Sequence, residues 1–380
     1  MVPMVPKLRY SSAFLIGAAL VATVLWPART PLQARATIDT VVTGLVNPRG
    51  LNFGPDGALY VAEAGSGGAS PCFVSGAGQT VCYGATGAVT KIDLGNTPAT
   101  KSRILAGLPS VAPASGAGAT GPHDVMFQGL GNGYVTIGLG TNPINRTAAG
   151  AFPLFASVGM EFGRLIRFQP NGKWSLAEDL AGFEGQANPD GNTPPDSNPY
   201  SVLPLPGRTA YTDAGGNALN VIAANGKITN LAVFPNRPVG TSSMQAVPTT
   251  VTIGPDGAFY VGQLTGAPFP LNGANVYRVP AGGGAPEIFE SGFTKIIDIA
   301  FGPDGSLYVL QISSAGGPPP QGGTGSLIRV APDHTKTTIV PAGGPLVAPG
   351  GIVVTADGTI YVTNFSVQPG GVGTVVRITQ

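Results

Sequence analysis

The stretch Asn47-Pro48-Arg49-Gly50-Leu51-Asn52-Phe53-Gly54-Pro55-Asp56-Gly57-Ala58-Leu59-Tyr60-Val61-Ala62-Glu63 decides the fold. An apolar run enters Gly-Pro-Asp-Gly, where Pro presets φ for a turn, Asp hydrogen-bonds its own backbone and Gly accepts a positive φ. A second strand bearing a Tyr leaves the turn. The frame returns from Val247-Pro248 through Gly254-Pro255-Asp256-Gly257 to Gln263, and again from Phe301-Gly302-Pro303-Asp304-Gly305 to Gln311. A further copy is Pro349-Gly350-Gly351-Ile352 followed by Ala356-Asp357-Gly358 through Asn364. Two worn copies start at Gly121-Pro122-His123-Asp124 and at Asn198-Pro199-Tyr200-Ser201, which makes six units.

Each unit continues into a third strand of similar type: Val89–Ile92, Leu165–Phe168, Val276–Val279, Leu327–Val330 and Val375–Ile378. A fourth closes it, as in Arg103–Leu108 or Glu287–Gly292. Four strands in roughly 50 residues make the blade of a β-propeller. The sixth unit ends after its third strand, and Ile38–Leu45 supplies a strand ahead of the first unit. The expectation is therefore one all-β domain, residues 37–380, of six four-stranded blades, closed by the N-terminal strand joining the last blade. Such closure removes an open sheet edge. An ordinary extra strand on the first blade is the alternative.

Composition agrees. The 380 residues include 58 Gly and 37 Pro, and interior Gly and Pro cost a helix about 1 and 3 kcal/mol each, so a helical bundle is excluded. With 43% hydrophobic residues and a net charge of +1, disorder is excluded as well. Residues 1–36 read as a signal peptide: Lys7 and Arg9, an apolar stretch Ala13–Leu25, then Ala34-Arg35-Ala36 as the small-x-small cleavage pattern. An uncleaved anchor is the alternative. Cleavage removes four of the 20 basic residues and leaves 16 against 19 acidic ones, a net of −3. No basic stripe for nucleic acid remains. The protein is expected to be secreted or periplasmic, and monomeric. In an oxidising compartment the two cysteines, Cys72 and Cys82, are expected to form a loop-closing disulfide.

The Pro-x-Gly-Leu, Pro-Asp-Gly and Tyr-Val-Ala-Glu frame resembles NHL and gluconolactonase-type six-bladed propellers. Gly121–Asp124, Asp196–Tyr200, Asp213–Asn217 and the Cys72–Cys82 loop resemble more closely the ScyD/ScyE family of exported propellers, over about Val41–Ile378. That resemblance implies fold and export and brings no assigned reaction.

Turn lengths select a face. The connections from first to second and from third to fourth strands are short. Long ones join second to third strands (Ala64–Thr86, Leu139–Phe162, Leu264–Gly273, Ile312–Thr324) and successive blades (Pro109–Gly121, Ala181–Asn198). In a propeller both long classes emerge on one face, and long loops on a rigid scaffold carry binding. Tolerated surface insertion is the bland alternative. The starts of the inner strands offer Arg49, His123, Asp124, Tyr200, Thr249, Asp298 and Gly350 around the central channel. The second-strand ends offer Glu63, Asp213, Gln263, Gln311 and Asn364.

Two functional classes follow. One is a binding or scaffold protein that takes a small molecule, a polysaccharide or a protein on the long-loop face. The other is an enzyme of the calcium-dependent lactonase or quinoprotein sugar dehydrogenase kind, working in the channel. There, His123 would be the catalytic base, and Asp124 with Asp298 would hold Ca²⁺, which needs six to eight oxygens. The competing reading makes His123 a channel residue bonded to its neighbour blade, and makes the two Asp backbone staples. Lys and Arg are scarce on the face, against an anionic quinone. His334, in the Pro332-Asp333-His334 turn, is expected on the surface. No phosphate loop, nucleophile elbow or HExxH pair occurs. The run Asp190-Gly191-Asn192 to Asp196-Ser197-Asn198 lacks the closing Glu of an EF-hand and reads as a polar turn cluster. Asn145-Arg146-Thr147 and Asn364-Phe365-Ser366 fit the glycosylation sequon.

Overall fold

A computed structural model of the chain describes Met1 and residues 36–75, 78–129, 131–147, 158–169, 171–317 and 324–380. The expected signal peptide, 1–36, lies outside these except for its two end residues. The chain opens with β1 (Thr37–Leu45). Blade 1 follows: β2 (Pro48–Phe53), β3 (Leu59–Glu63), β4 (Cys72–Val74), β5 (Thr80–Asp93) and β6 (Thr100–Ala112). Blade 2 holds β7 (Pro122–Gln128), β8 (Asn132–Ile137), β9 (Arg164–Phe168) and β10 (Trp174–Asp179), and a short helix α1 (Leu180–Ala187) leads out of it. Blade 3 is β11 (Pro199–Leu205) to β14 (Ile228–Val233), with β12 (Arg208–Asp213) and β13 (Ala218–Ala223) between them. A hairpin of β15 (Arg237–Val239) and β16 (Ser242–Met244) precedes blade 4, which is β17 (Pro248–Ile253), β18 (Phe259–Gln263), β19 (Ala274–Val279) and β20 (Glu287–Phe293). Blade 5 is β21 (Ile296–Phe301), β22 (Leu307–Gln311), β23 (Ser326–Val330) and β24 (Lys336–Val340). Blade 6 is β25 (Gly351–Val354), β26 (Ile360–Asn364) and β27 (Gly373–Thr379), and β1 completes it.

The closing strand behaves as expected. β1 runs antiparallel to β27, pairing Thr37 with Thr379 and Leu45 with Gly373, so the first strand of the domain is the outer strand of the last blade. Arg377 reaches across to Asp39.

The repeat has a side-chain logic. In the Pro-Asp-Gly turn of blade 1, Asp56 accepts from Ala58 N (3.2 Å), from the Tyr60 hydroxyl (2.9 Å) and from Lys91 Nζ (2.6 Å). Asp256 with Arg278, and Asp304 with Arg329, repeat this pairing. In blades 1, 4 and 5 the base of the third strand therefore holds the turn, whereas Arg167 and Arg377 pair instead with Glu178 and Asp39 on the outer strands. Gly57 sits at φ +76°, where a side chain is strained. Gly54 is needed for another reason, since a Cβ there would lie 2.3 Å from the Tyr60 ring.

Those Tyr rings join the blades. Tyr60 packs edge-on against Phe127 of blade 2 (centroids 4.6 Å apart), Tyr260 against Phe301 of blade 5 (5.0 Å), and Tyr361 of blade 6 against Phe53 of blade 1 (5.7 Å). The apolar core thus lies between neighbouring blades, with Val61, Val135, Val261, Val309 and Val362 of the second strands fully buried.

Three connections differ from the expectation. Pro109–Ala112 belongs to β6, because β5 and β6 extend beyond the blade as a long hairpin that pairs Tyr83 with Val111. The connection Ala181–Asn198 begins as helix, capped by the Asp179 carboxylate on Gly182 N. The connection between blades 3 and 4 carries the additional β15–β16 hairpin, turned at Gly240 (φ +58°). The disulfide is as expected: Cys72 and Cys82 are bonded, and they face each other across the β4–β5 pair.

Candidate functional site

The central channel is shaped by a repeated bulge. Pro48 pairs with Glu63 and Leu51 with Val61, so the inner strand holds one residue more than its partner. The same excess follows Pro122, Pro199, Pro248 and Ile296. A bulge re-aims side chains and leaves a backbone N–H unpaired, which suits the Pro that starts most of these strands. The extra residue places Arg49, His123, Tyr200, Thr249 and Ile297 at one level. One step further on stand Gly50, Asp124, Ser201, Thr250, Asp298 and Gly351.

The first level fills the channel toward the long loops. Arg49 is buried and donates from Nη2 to Ala119 O (2.8 Å). The His123 ring lies 4.5 Å from the Tyr200 ring, and His123 Nδ1 is 3.0 Å from Pro199 O. Thr249 Oγ1 donates to Ile296 O (3.0 Å). Burial, reinforced by the Arg49 charge, pushes the His123 pKa down to about 3, so the imidazole is neutral at physiological pH. Within this layer a void of only about 10 Å³ remains, about one water molecule.

The second level is carboxylate and hydroxyl. Asp124 accepts from Val125 N (2.8 Å), Ser201 Oγ (3.0 Å) and Val202 N (3.0 Å). Asp298 accepts from Thr250 Oγ1 (2.6 Å), Ile299 N (2.8 Å) and Ile352 N (2.8 Å). Each carboxylate therefore links its own blade to the next one. Burial lifts Asp124 to about 6, and burial together with the Asp124 charge lifts Asp298 to about 7. Below this level the channel opens toward the Pro-Asp-Gly turns as a cavity of about 290 Å³, walled by Met126, Val251, Ile253, Phe301 and Val354 and roofed by Asp124, Ser201 and Asp298.

The second-strand ends form a different set. Glu63 accepts from Val46 N (2.6 Å) and Thr90 Oγ1, Asp213 from Asn198 N (2.7 Å) and Ser197 Oγ (2.6 Å), and Gln311 from Thr294 N. Asn364 accepts from Val347 N (2.7 Å), and Gln263 from Asn275 N (3.1 Å) and Arg237 Nη2 (3.0 Å). All five are buried. In blades 1, 3 and 5 the bond is to the N–H one or two residues ahead of the inner strand, and in blade 6 to one four residues ahead, so this position braces the strand entry.

The structure therefore brings Arg49, Asp124, Asp298, His123, Tyr200, Thr249 and Gly350 together around the channel, and places Glu63, Asp213, Gln263, Gln311 and Asn364 around it as braces. Among the described residues no three of His, Cys, Asp and Glu are grouped closely enough to hold a metal by themselves. Sequence reasoning did not single out Ser201 and Thr250, although both occupy the Asp124 slot of the repeat. His334 is on the surface at φ +67°, paired with Glu290. Asn145 and Asn364 of the two sequons are buried, so neither amide stands free in solvent.

The long-loop face has its own signature. Val74, Ile144, Met160, Leu271 and Val372 are exposed by 44% to 61%, and each lies between the second and third strands of its blade. Among the described residues of the propeller the other exposed large apolar side chains, Trp174, Leu176 and Ile288, are on outer strands.

No protein-family model and no curated protein matches the chain. Solved structures do. A glucose dehydrogenase is 13% identical, with 90% of this chain and 99% of that one covered, at a TM-score of 0.52. Regucalcin from Agrobacterium tumefaciens, described as a calcium-binding protein, is 13% identical over 89% of this chain and 93% of its own (TM-score 0.50). A Bacteroides thetaiotaomicron protein of unknown function is 9% identical over 90% and 76% (TM-score 0.54). At these identities the likeness establishes the fold alone, a six-bladed β-propeller.

Proposed function

We propose that the protein is an exported binding or scaffold propeller of the ScyD/ScyE type, which takes a small molecule, a polysaccharide or a protein on its long-loop face. The observation that carries this reading is the concentration of exposed apolar side chains on the loops between second and third strands. Exposed apolar side chains suit an interaction surface where they adjoin. The closed first level of the channel supports the same reading. A base must come within about 3 Å of the proton it takes, and His123 is buried behind Tyr200 with Nδ1 engaged. The test is a panel of polysaccharides, lactones and phenolic compounds offered to the purified protein. Binding without turnover is expected, and it should weaken at least tenfold when Ile144 and Leu271 are both changed to Asp. Turnover of any of these compounds, or binding indifferent to that double change, would defeat the proposal.

A second reading keeps the channel as an active site of the lactonase or sugar dehydrogenase kind. It is favoured by Asp124 and Asp298, two carboxylates with raised pKa values at the roof of one cavity, an arrangement common at catalytic sites. It requires entry from the short-turn end. Loss of a measured turnover in Asp298→Asn would support it.

A further inference from the structure

The connection between blades 2 and 3 holds a group of acids outside the channel. Helix α1 places Glu184 and Asn188 one turn apart on one face, and Asn188 ends the helix at φ +40°. The chain then folds back through Asp190 and Asp196 toward β12. Two members of the group are fully bonded. Asp190 accepts from Asn192 N (2.9 Å), Asn192 Nδ2 (2.6 Å) and Asn217 Nδ2 (2.8 Å). Asp213 adds Gly215 N (3.1 Å) and Gly216 N (3.0 Å) to the donors already described.

The other members leave acceptor oxygens open, although Asn188 Nδ2 donates to Asn192 O (2.9 Å). Glu184 Oε1 and Oε2, Asn188 Oδ1 and Asp196 Oδ1 are shut off from water and accept no hydrogen bond. Glu184 is 0% exposed. Its carboxylate lies against Gly216, where a Cβ would come within 2.4 Å of Oε2, so the absence of a side chain at 216 makes the space. Among the described residues no Lys, Arg or His pairs with Glu184, Asp190, Asp196 or Asp213. Burial, with Asp213, Asp190 and Asp196 nearby, pushes Glu184 up to about 8. An unpaired buried carboxylate is costly, and several dry acceptors with no donor are matched by a cation. The oxygen-only chemistry selects a hard ion over a transition metal.

We propose that Glu184, Asn188 and Asp196 bind one Ca²⁺ ion in the connection between blades 2 and 3, at a site separate from the central channel. Because no three acidic groups cage a metal unaided here, the Asn188 amide and waters carried in by the ion would complete the oxygen set. The ion ties α1 to blade 3, and its role is structural.

The test is a Ca²⁺ titration of the purified, chelator-treated protein, followed by calorimetry and by thermal melting. One site and a rise of several degrees in melting temperature are expected. Glu184→Gln, which keeps shape and removes charge, should bind at least tenfold more weakly while melting in chelator as the wild type does. Asn188→Ala provides a second reading should Glu184→Gln fold poorly. Two results would overturn the proposal. One is no heat and no melting shift in the wild type, as for a Glu184 that simply keeps its proton. The other is undiminished binding in both variants, which would put the ion elsewhere.

Discussion

The long-loop end of the central channel and its short-turn end are lined by the same six inner strands, yet one is filled and the other hollow. At the filled end the bulge following the first strand residue sets Arg49, His123 and Tyr200 against one another and leaves about 10 Å³. At the hollow end regular pairing has resumed, the side chains turn toward neighbouring blades, and about 290 Å³ stays open. Asp124 and Asp298 mark the boundary. An inserted residue in five of the inner strands thus separates the filled mouth of the channel from the open one.

The largest expected effect tests the boundary itself. A Cβ at Gly50 would lie 2.2 Å from Asp124 Oδ1 and 3.0 Å from its Cα. Gly50→Val should therefore cost about 3 kcal/mol in urea unfolding. A wild-type midpoint would mean that the strands are less close than described.

Next comes the contrast between boundary and cavity. Asp298→Ala strands the N–H groups of Ile299 and Ile352 and should cost about 2 to 3 kcal/mol. Thr252→Ala, in the cavity wall, should cost under about 0.5 kcal/mol. Equal losses would remove the distinction.

The filled end should also appear in the pH profile. The folded pKa of His123 is depressed from 6.5 to about 3. Between those values the unfolded chain binds the proton and the folded chain does not. His123 thus contributes stability that is complete above pH 6.5 and is lost as pH falls toward 3. His123→Phe should lack this component, a difference on the order of 3 kcal/mol between pH 7 and 4. Parallel profiles would mean that the imidazole reaches water.

The smallest effect belongs to the short-turn rim. Arg329 holds Asp304 down at about 2, so its stabilisation is present above the usual 3.8 and is lost as pH falls through about 2. The pair is exposed and screened, and Asp304→Asn should change stability by no more than about 0.5 kcal/mol at pH 7. A larger loss would make the turn pairs structural in the sense reserved here for the boundary.

The blades and their closure were legible because Pro-Asp-Gly, the following Tyr and the third-strand base are local signals that recur in register. Asp56, Tyr60 and Lys91 meet in one turn, so sequence spacing and spatial contact coincide. The channel was legible only in outline. The positions that ring it follow from the repeat, but the bonds of Asp124 to Ser201 and Val202 join residues nearly eighty positions apart, and no spacing rule reports them. The bulge was hidden for the same reason, since an extra residue is visible only against its partner strand. Glu184 was overlooked because its neighbours Asp196 and Asp213 reach it through the fold, across a helix that the Gly-rich composition disguised.

The most direct test of the account uses introduced thiols. Cys72 and Cys82 are bonded to each other and the chain has no other cysteine, so Thr249→Cys in the filled layer and Thr252→Cys in the cavity each carry one reactive group. Maleimide labelling of the folded protein should modify Cys at 252 readily and Cys at 249 at least a hundredfold more slowly. Equal rates, or the reverse order, would contradict a channel closed on the long-loop face.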